Sequence, residues 1–269
     1  MDLLDLQSLW LIGAASVIGL IAAQELGYRA YRFMRPPSQE PPEKTDGINY
    51  MLSAALALLG LLIAFTFSMA VDRFEARRAL VVEEANAVGT VYLRLQLLDE
   101  PARGTLSRDL IAYARARGDF LAAARTSPRL TRADEETARA GTQFWNDLAP
   151  VLKARPADTM SPALLGAANE MLDDAASAQA AMNAQLPDAV MTVLLIYALI
   201  SAVLMGFALG GGGRRHLVAS ILLFVLVSMS ISLIVDLDRP RRGTVQVSAA
   251  PFARAAAQIE AMEAARPAR

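Results

Sequence analysis

The sequence predicts an all-α polytopic membrane protein, with four transmembrane helices and a helical extramembrane body between the second and the third. Three observations predict it. Over half of the 269 residues are apolar (54%), yet the formal net charge is only −1. The apolar residues gather into four blocks, 6–24, 47–71, 189–213 and 217–235, each near the roughly 20 residues that a helix needs to span a bilayer. The stretch 72–187 is different: Ala-rich, charged, and apolar at helical rather than alternating spacing. The chain holds no cysteine, which excludes disulfides, zinc–thiolate sites and thiol catalysis. Its near-neutral charge gives no reason to expect a nucleic-acid partner.

The first block follows Asp2 and Asp5 with no basic flank and no small-x-small cleavage signal, so it reads as a retained helix rather than a signal peptide. "RPPSQEPPEKTDG", 35–47, carries Pro36, Pro37, Pro41 and Pro42 and forbids a helix between the first two spans. No span has a charged residue at its centre, which would cost about 2.5–3.5 kcal/mol. "GGGGRRH", 210–216, predicts a tight turn that makes spans three and four an antiparallel hairpin.

Within the body, breaks are predicted at Gly89, "DEPARG" (99–104), "TSPRLT" (126–131), "KARPADTMSP" (153–162) and "LPD" (186–188), giving about four helices. Ser127-Pro128 and Ser161-Pro162 each place a capping hydroxyl before a proline suited to a first helical turn. Thr131 with Asp134 approximates a capping box. Two apolar stripes support the helices: Phe74, Val81, Ala85, Val88, Tyr92 and Leu95, then Leu110, Tyr113, Phe120 and Leu121. The resulting organisation is 1–71 (spans one and two), 72–187 (helical body), 188–237 (hairpin of spans three and four) and 238–269 (a tail packing on the body).

The search for chemistry is mostly negative. His216, the single histidine, follows Arg214 and Arg215 at a membrane edge and reads as a solvated residue. Asp173-Asp174 and Asp134-Glu135-Glu136 sit on predicted helices without a partner histidine or a loop, so they read as solvated faces rather than metal ligands. There is no phosphate loop, nucleophile elbow or zinc motif. The sequence therefore predicts neither enzyme, metal nor cofactor. No span holds an ionisable residue at depth, only hydroxyls, which argues against a proton-coupled transporter. The Gly, Ala and Ser of spans one and two allow close helix packing and suit an oligomer.

The informative segment is "FSMAVDRFEARRALVVEEANAVGTVYLR", 67–94. Seven of the thirteen residues from Asp72 to Glu84 are charged, and neither Pro nor Gly interrupts 61–88. One helix thus runs from apolar into charged sequence without a break. On it Ala57, Leu61, Phe65, Ser68 and Asp72 recur every three or four residues and share a face. Two readings stay open. The charges Asp72, Arg73, Glu75, Arg77 and Arg78 anchor the end of a span at the interface, or they form the wall of a vestibule continuing a pore. Asp236, Asp238 and Arg239, at the end of span four, carry the same ambiguity.

"LLGLLIAFTFSMAVDRFEARRALVVEEANAVGTVYLR" (58–94) and "VDLDRPRRGTVQVSAAP" (235–251) resemble the bestrophin superfamily, and most closely its bacterial bestrophin-like domain proteins. Asp72, Arg73, Phe74, Glu75, Ala76 and Arg77 match an Asp-Arg-aromatic-aromatic-Glu-Ala-Arg segment, with one aromatic instead of two. Asp238, Pro240 and Gly243 resemble an acidic-Pro-Phe-Gly element, from which Arg239, Arg241 and Arg242 depart. The resemblance implies a homo-oligomer, a pentamer in that superfamily. It implies a channel in the bacterial inner membrane passing small inorganic ions, chloride or bicarbonate among them. The second span would line the pore through Ala57, Leu61, Phe65 and Ser68, with Asp72, Arg73, Glu75, Arg77, Asp236, Asp238 and Arg239 as vestibule or interface charges. The calcium-binding acidic cluster of the animal members is not visible here. The alternative is a membrane-anchored helical scaffold or sensor module that does not conduct. Basic residues flanking the spans are nearly balanced on the two sides; the resemblance places the body in the cytoplasm.

Overall fold

A computed structural model describes residues 3–34, 46–123, 128–155, 158–212, 216–240 and 244–266. It is helical throughout the elements it defines: α1 (Leu3–Met34), α2 (Asp46–Leu95), α3 (Ala102–Ala122), α4 (Pro128–Lys153), α5 (Met160–Asn183), α6 (Asp188–Gly212), α7 (Leu217–Asp238) and α8 (Ala250–Ala264). Four stretches of helix are long and apolar enough to cross a membrane. The chain divides into two compact units, and α2 contributes to both, its division falling between Asp72 and Arg73.

The first unit holds α1, the first half of α2, α6 and α7. Helix α1 packs on both α6 and α7. The α1–α6 crossing is so close that glycine is obligatory at its centre. A Cβ on Gly27 would lie 2.0 Å from the Val203 carbonyl oxygen, and one on Gly206 would lie 1.9 Å from the Gln24 carbonyl oxygen. One turn further, Gly210 faces the Tyr31 side chain, which meets the Phe207 ring edge to face at 5.1 Å. Hydroxyls and an amide complete the contact with α7: Ser228 donates to the Gly13 carbonyl (2.7 Å), and Gln24 donates to Ser220 Oγ (2.9 Å). In an apolar solvent, close packing of small residues and interhelical hydrogen bonds hold helices together, because burial of apolar surface supplies little.

The second unit holds the rest of α2, then α3, α4, α5 and α8. Helix α3 packs on α4 and α8, and α4 on α5. Val81, Val88, Val91 and Leu95 of α2 meet Leu106, Leu110 and Phe120 of α3, Phe144 and Leu148 of α4, Met171 of α5 and Phe252 of α8 in one core. Both predicted apolar stripes lie in or against it, with Phe74 half-buried at its edge.

Several local expectations are corrected. Gly89 breaks nothing: α2 runs on to Leu95. A mid-helix glycine costs about 1 kcal/mol relative to alanine, and burial of Val88, Val91, Tyr92 and Leu95 outweighs that. Gly210, Gly211 and Gly212 are the last residues of α6, not a turn. Residues 213–215 lie outside the described residues, as do 35–45 of the Pro-rich link and Ser127. Pro128 opens α4, so Thr131 and Asp134 are inside that helix and form no capping box. Helix α5 begins before Ser161, at Met160, with Thr159 at its N-cap; Asp158 just ahead accepts the Met160 amide (2.9 Å), while Ser161 donates to the Arg155 carbonyl. A carboxylate at that end complements the positive helix terminus.

Candidate functional site

The candidate pore residues all lie on one side of α2 that is left uncovered among the described residues. Ala57, Leu61, Phe65, Ser68 and Asp72 are exposed, Leu61 by 51% and Phe65 by 62%. The opposite side is covered: Leu59, Thr66 and Ala70 are buried, and Thr66 returns its hydroxyl to the Leu62 carbonyl (2.8 Å). The same three- and four-residue interval continues as exposed positions through Glu75, Ala79, Val82 and Asn86. Thus α2 keeps one covered and one open side along its length, as a helix with 3.6 residues per turn does when one face packs.

The charges predicted beside this face separate. Asp72 is exposed and Arg73 is half-buried. Glu75 pairs loosely with Arg78 at 3.4 Å, an exposed contact worth little. Arg77 turns inward and is 1% exposed. Its guanidinium donates to the Ala181 and Ala184 carbonyls (3.1 and 2.5 Å), the unpaired oxygens at the end of α5. A cation there satisfies orphan acceptors and the negative end of the helix dipole together. Asp236 is buried and accepts from the Thr244 amide (2.9 Å) and the Thr244 hydroxyl. Asp238 accepts from the Leu186 amide (2.7 Å), tying the end of α7 to the approach to α6. Arg239 caps α7, with its amide bonded to the Asp236 carbonyl. These residues hold backbone in place, a role that spacing alone did not reveal.

The buried ion pair of the body was also missed. Glu84 is fully buried and accepts both Arg117 nitrogens at 2.5 Å, with Tyr113 donating to it at 2.8 Å. The guanidinium lies 5.3 and 5.8 Å from the Phe120 and Phe252 ring centres. Burial alone would lower Arg117, but its hydrogen bond to Glu84 and that carboxylate's charge hold it above its usual value. Burial, then the Glu84 charge, pushes the Tyr113 phenol up. The group links α2, α3 and α8 as structure; removing one partner would strand the other charge, a loss of about 3–5 kcal/mol. The available sequence signal was Arg117 at helical spacing among the buried positions Leu110, Tyr113 and Phe120.

His216 is exposed, as are Asp134, Glu135 and Glu136 on α4. Among the described residues no group of His, Asp and Glu is arranged to hold a metal ion.

A bestrophin-like domain family model matches residues 19–252. The chain belongs to the bestrophin-like domain family. Solved structures with the same fold include a point mutant of a bacterial bestrophin homologue from Klebsiella pneumoniae. It has 18% identity and a TM-score of 0.65, and the match covers 97% of each chain. Another mutant of that homologue has 18% identity and a TM-score of 0.64, over 91% of this chain and 95% of that one. A structure described as a membrane protein has 17% identity and a TM-score of 0.67, over 97% of this chain and all of that one. No curated protein matches the chain. Family and apolar helices together make this bestrophin-like chain a membrane protein. The family match spans both the α2 segment and the Asp236–Pro240 segment on which the resemblance was drawn.

Proposed function

We propose that this chain is one subunit of a homo-oligomeric ion channel. Its second helix lines the pore through Ala57, Leu61, Phe65 and Ser68, and small anions such as chloride or bicarbonate pass. One observation carries the reading: among the described residues this face of α2 is uncovered although the opposite face is packed. Family membership supports it, since bestrophins are ion channels rather than enzymes; the choice of anions and the five-fold assembly rest on that resemblance. Leu61 and Phe65 would form an apolar neck. A narrow apolar ring excludes water and so gates by dewetting. Ser68 would then sit on the water-facing exit, with Asp72 and Arg73 at its mouth.

The reading is tested by ion flux in reconstituted bilayers. Phe65→Ala and Leu61→Ala widen the neck and should raise flux severalfold. Met69→Ala, on the flank of that face, should change it much less. Silence of the parent and both neck variants to chloride, bicarbonate and sodium, in protein that stays folded and oligomeric, would sink the channel and leave the non-conducting scaffold.

A further inference from the structure

On the body, the open side of α2 has two unlike flanks. One flank is a groove of about 440 Å³ between α2 and α8, lined by Val82, Asn86, Leu93, Arg254, Gln258 and Met262. Val82, Leu93 and Met262 are 39%, 62% and 41% exposed, a run of apolar surface that a soluble face would not keep open. Arg254 is exposed at this groove and forms no hydrogen bond or ion pair among the described residues. The other flank lies toward α5. There Glu83 is exposed on α2, and Glu170 and Asp173 are exposed on α5, one turn and one residue before Asp174; their charges and that of the buried Glu84 all bear on Asp174. Glu84 is neutralised by Arg117, whereas no described cation pairs with Glu83, Glu170, Asp173 or Asp174. Glu83 and Val82 are neighbours on α2, so about a quarter turn separates the acidic flank from the groove.

We propose that the groove seats a second copy of this chain, which inserts its α2–α5 acidic flank so that Arg254 meets Glu83, Glu170 and Asp173 of the neighbouring copy. The proposal rests on reading α2 as the helix around which copies assemble. The two surfaces differ, so the contact is heterologous. Each copy offers one of each, and such contacts close into a ring when the rotation permits. Both surfaces flank the open side of α2, so a ring built this way turns that side toward its axis. Charge complementarity commits the groove to this occupant: an unpaired cation, Arg254 on α8, in a largely apolar groove, and four unpaired carboxylates on the other flank, Glu83 on α2 and Glu170, Asp173 and Asp174 on α5.

The chain has no native cysteine, so introduced ones report without background. Two differently tagged copies, one carrying Glu83→Cys and the other Gln258→Cys, should cross-link to each other on oxidation in detergent, and neither should cross-link to itself. Arg254→Glu and Glu83→Arg should each raise the concentration at half-assembly about tenfold by mass photometry, and the two together should restore assembly. Both positions are exposed, and an unchanged melting profile would confirm that the variants fold. Oligomers that ignore both reversals and give no mixed cross-link would overturn the docking while leaving the pore reading standing. Self-cross-linking of Gln258→Cys copies would overturn it in favour of a two-fold contact. Monomers that bind anionic vesicles, and lose them on Arg254→Glu, would overturn it in favour of lipid. Charge-sensitive, cross-linked assemblies that pass no ion would uphold the docking and sink the pore.

Discussion

Asp109 on α3 shows how one carboxyl can be set by its surroundings. Its Oδ2 is buried with no hydrogen-bond partner. Burial, then the neighbouring Asp147 carboxyl on α4, pushes Asp109 up to about 6, with the Arg108 charge opposing. The second oxygen of the pair on α4 is partly spoken for, because Gln143 donates to Asp147 Oδ2 (2.8 Å). The pair is therefore comfortable sharing a proton and strained without one. The folded pKa lies above the unfolded value, so between about 4 and 6 the folded protein binds more protons than the unfolded chain. Stability from this pair is then present below the unfolded pKa and is lost as pH rises through about 6. Asp109→Asn should flatten the pH dependence of the melting temperature across this window. At pH 7.5 it should melt roughly 2 °C higher than the parent. Parallel melting curves for the two proteins from pH 4 to 7.5 would show that the pair shares no proton.

At the scale of elements, the α1–α6 crossing is the most demanding contact in the membrane unit. Gly206→Ala drives a methyl into the Gln24 carbonyl, and Gly27→Ala does the same at the Val203 carbonyl. Backbone cannot rotate away as a side chain does, so the helices must part, which costs about 1–3 kcal/mol or more. Both variants should lose yield and melt earlier in detergent. Gly19 on the same helix has nothing within 4 Å of a built Cβ. There alanine should be neutral or stabilising, since it is the better helix former by about 1 kcal/mol. Equal behaviour of Gly19→Ala and Gly27→Ala would mean that the close crossing is absent from the folded protein. The crossing also shows where part of the small-residue content goes. Gly13, Gly27, Gly206 and Gly210 face partners within the chain, so on α1 close packing serves the fold of one subunit. The uncovered side of α2 takes no part in that crossing, and under the proposed function it is the side that faces the pore.

For the whole molecule, orientation in the membrane follows from the number of spans. If all four apolar helices cross, the start of the chain, the body and the tail share one side, and we propose from the bestrophin resemblance that this side is the cytoplasm. Acidic residues before the first span and Arg29, Arg32 and Arg35 after it pull weakly the other way. A reporter fused after residue 269 should be active only when it is of the kind that works in the cytoplasm. Activity of a periplasm-only reporter at that position would invert the protein.

How much of this was legible in the sequence depends on the range of the forces. The four apolar helices, the all-α class and the shared face of Ala57, Leu61, Phe65, Ser68 and Asp72 on α2 could be read directly, because hydrophobic block length and helical period are local properties of consecutive residues. The family was legible in Asp72–Arg77 and Asp236–Pro240 for the same reason, as short contiguous patterns. What the sequence could not decide was which residue meets which across helices. Arg77 looked like one more charge in a row, and only the end of α5 made it a cap. Glu84 and Arg117, 33 residues apart, became a buried pair because α2 and α3 pack together. Gly89 and Gly210–Gly212 looked like breaks, and the packed partners of α2 and α6 made them helix. A local preference of about 1 kcal/mol yields to burial of several side chains at once. That burial is a sum over neighbours brought together only by the tertiary fold.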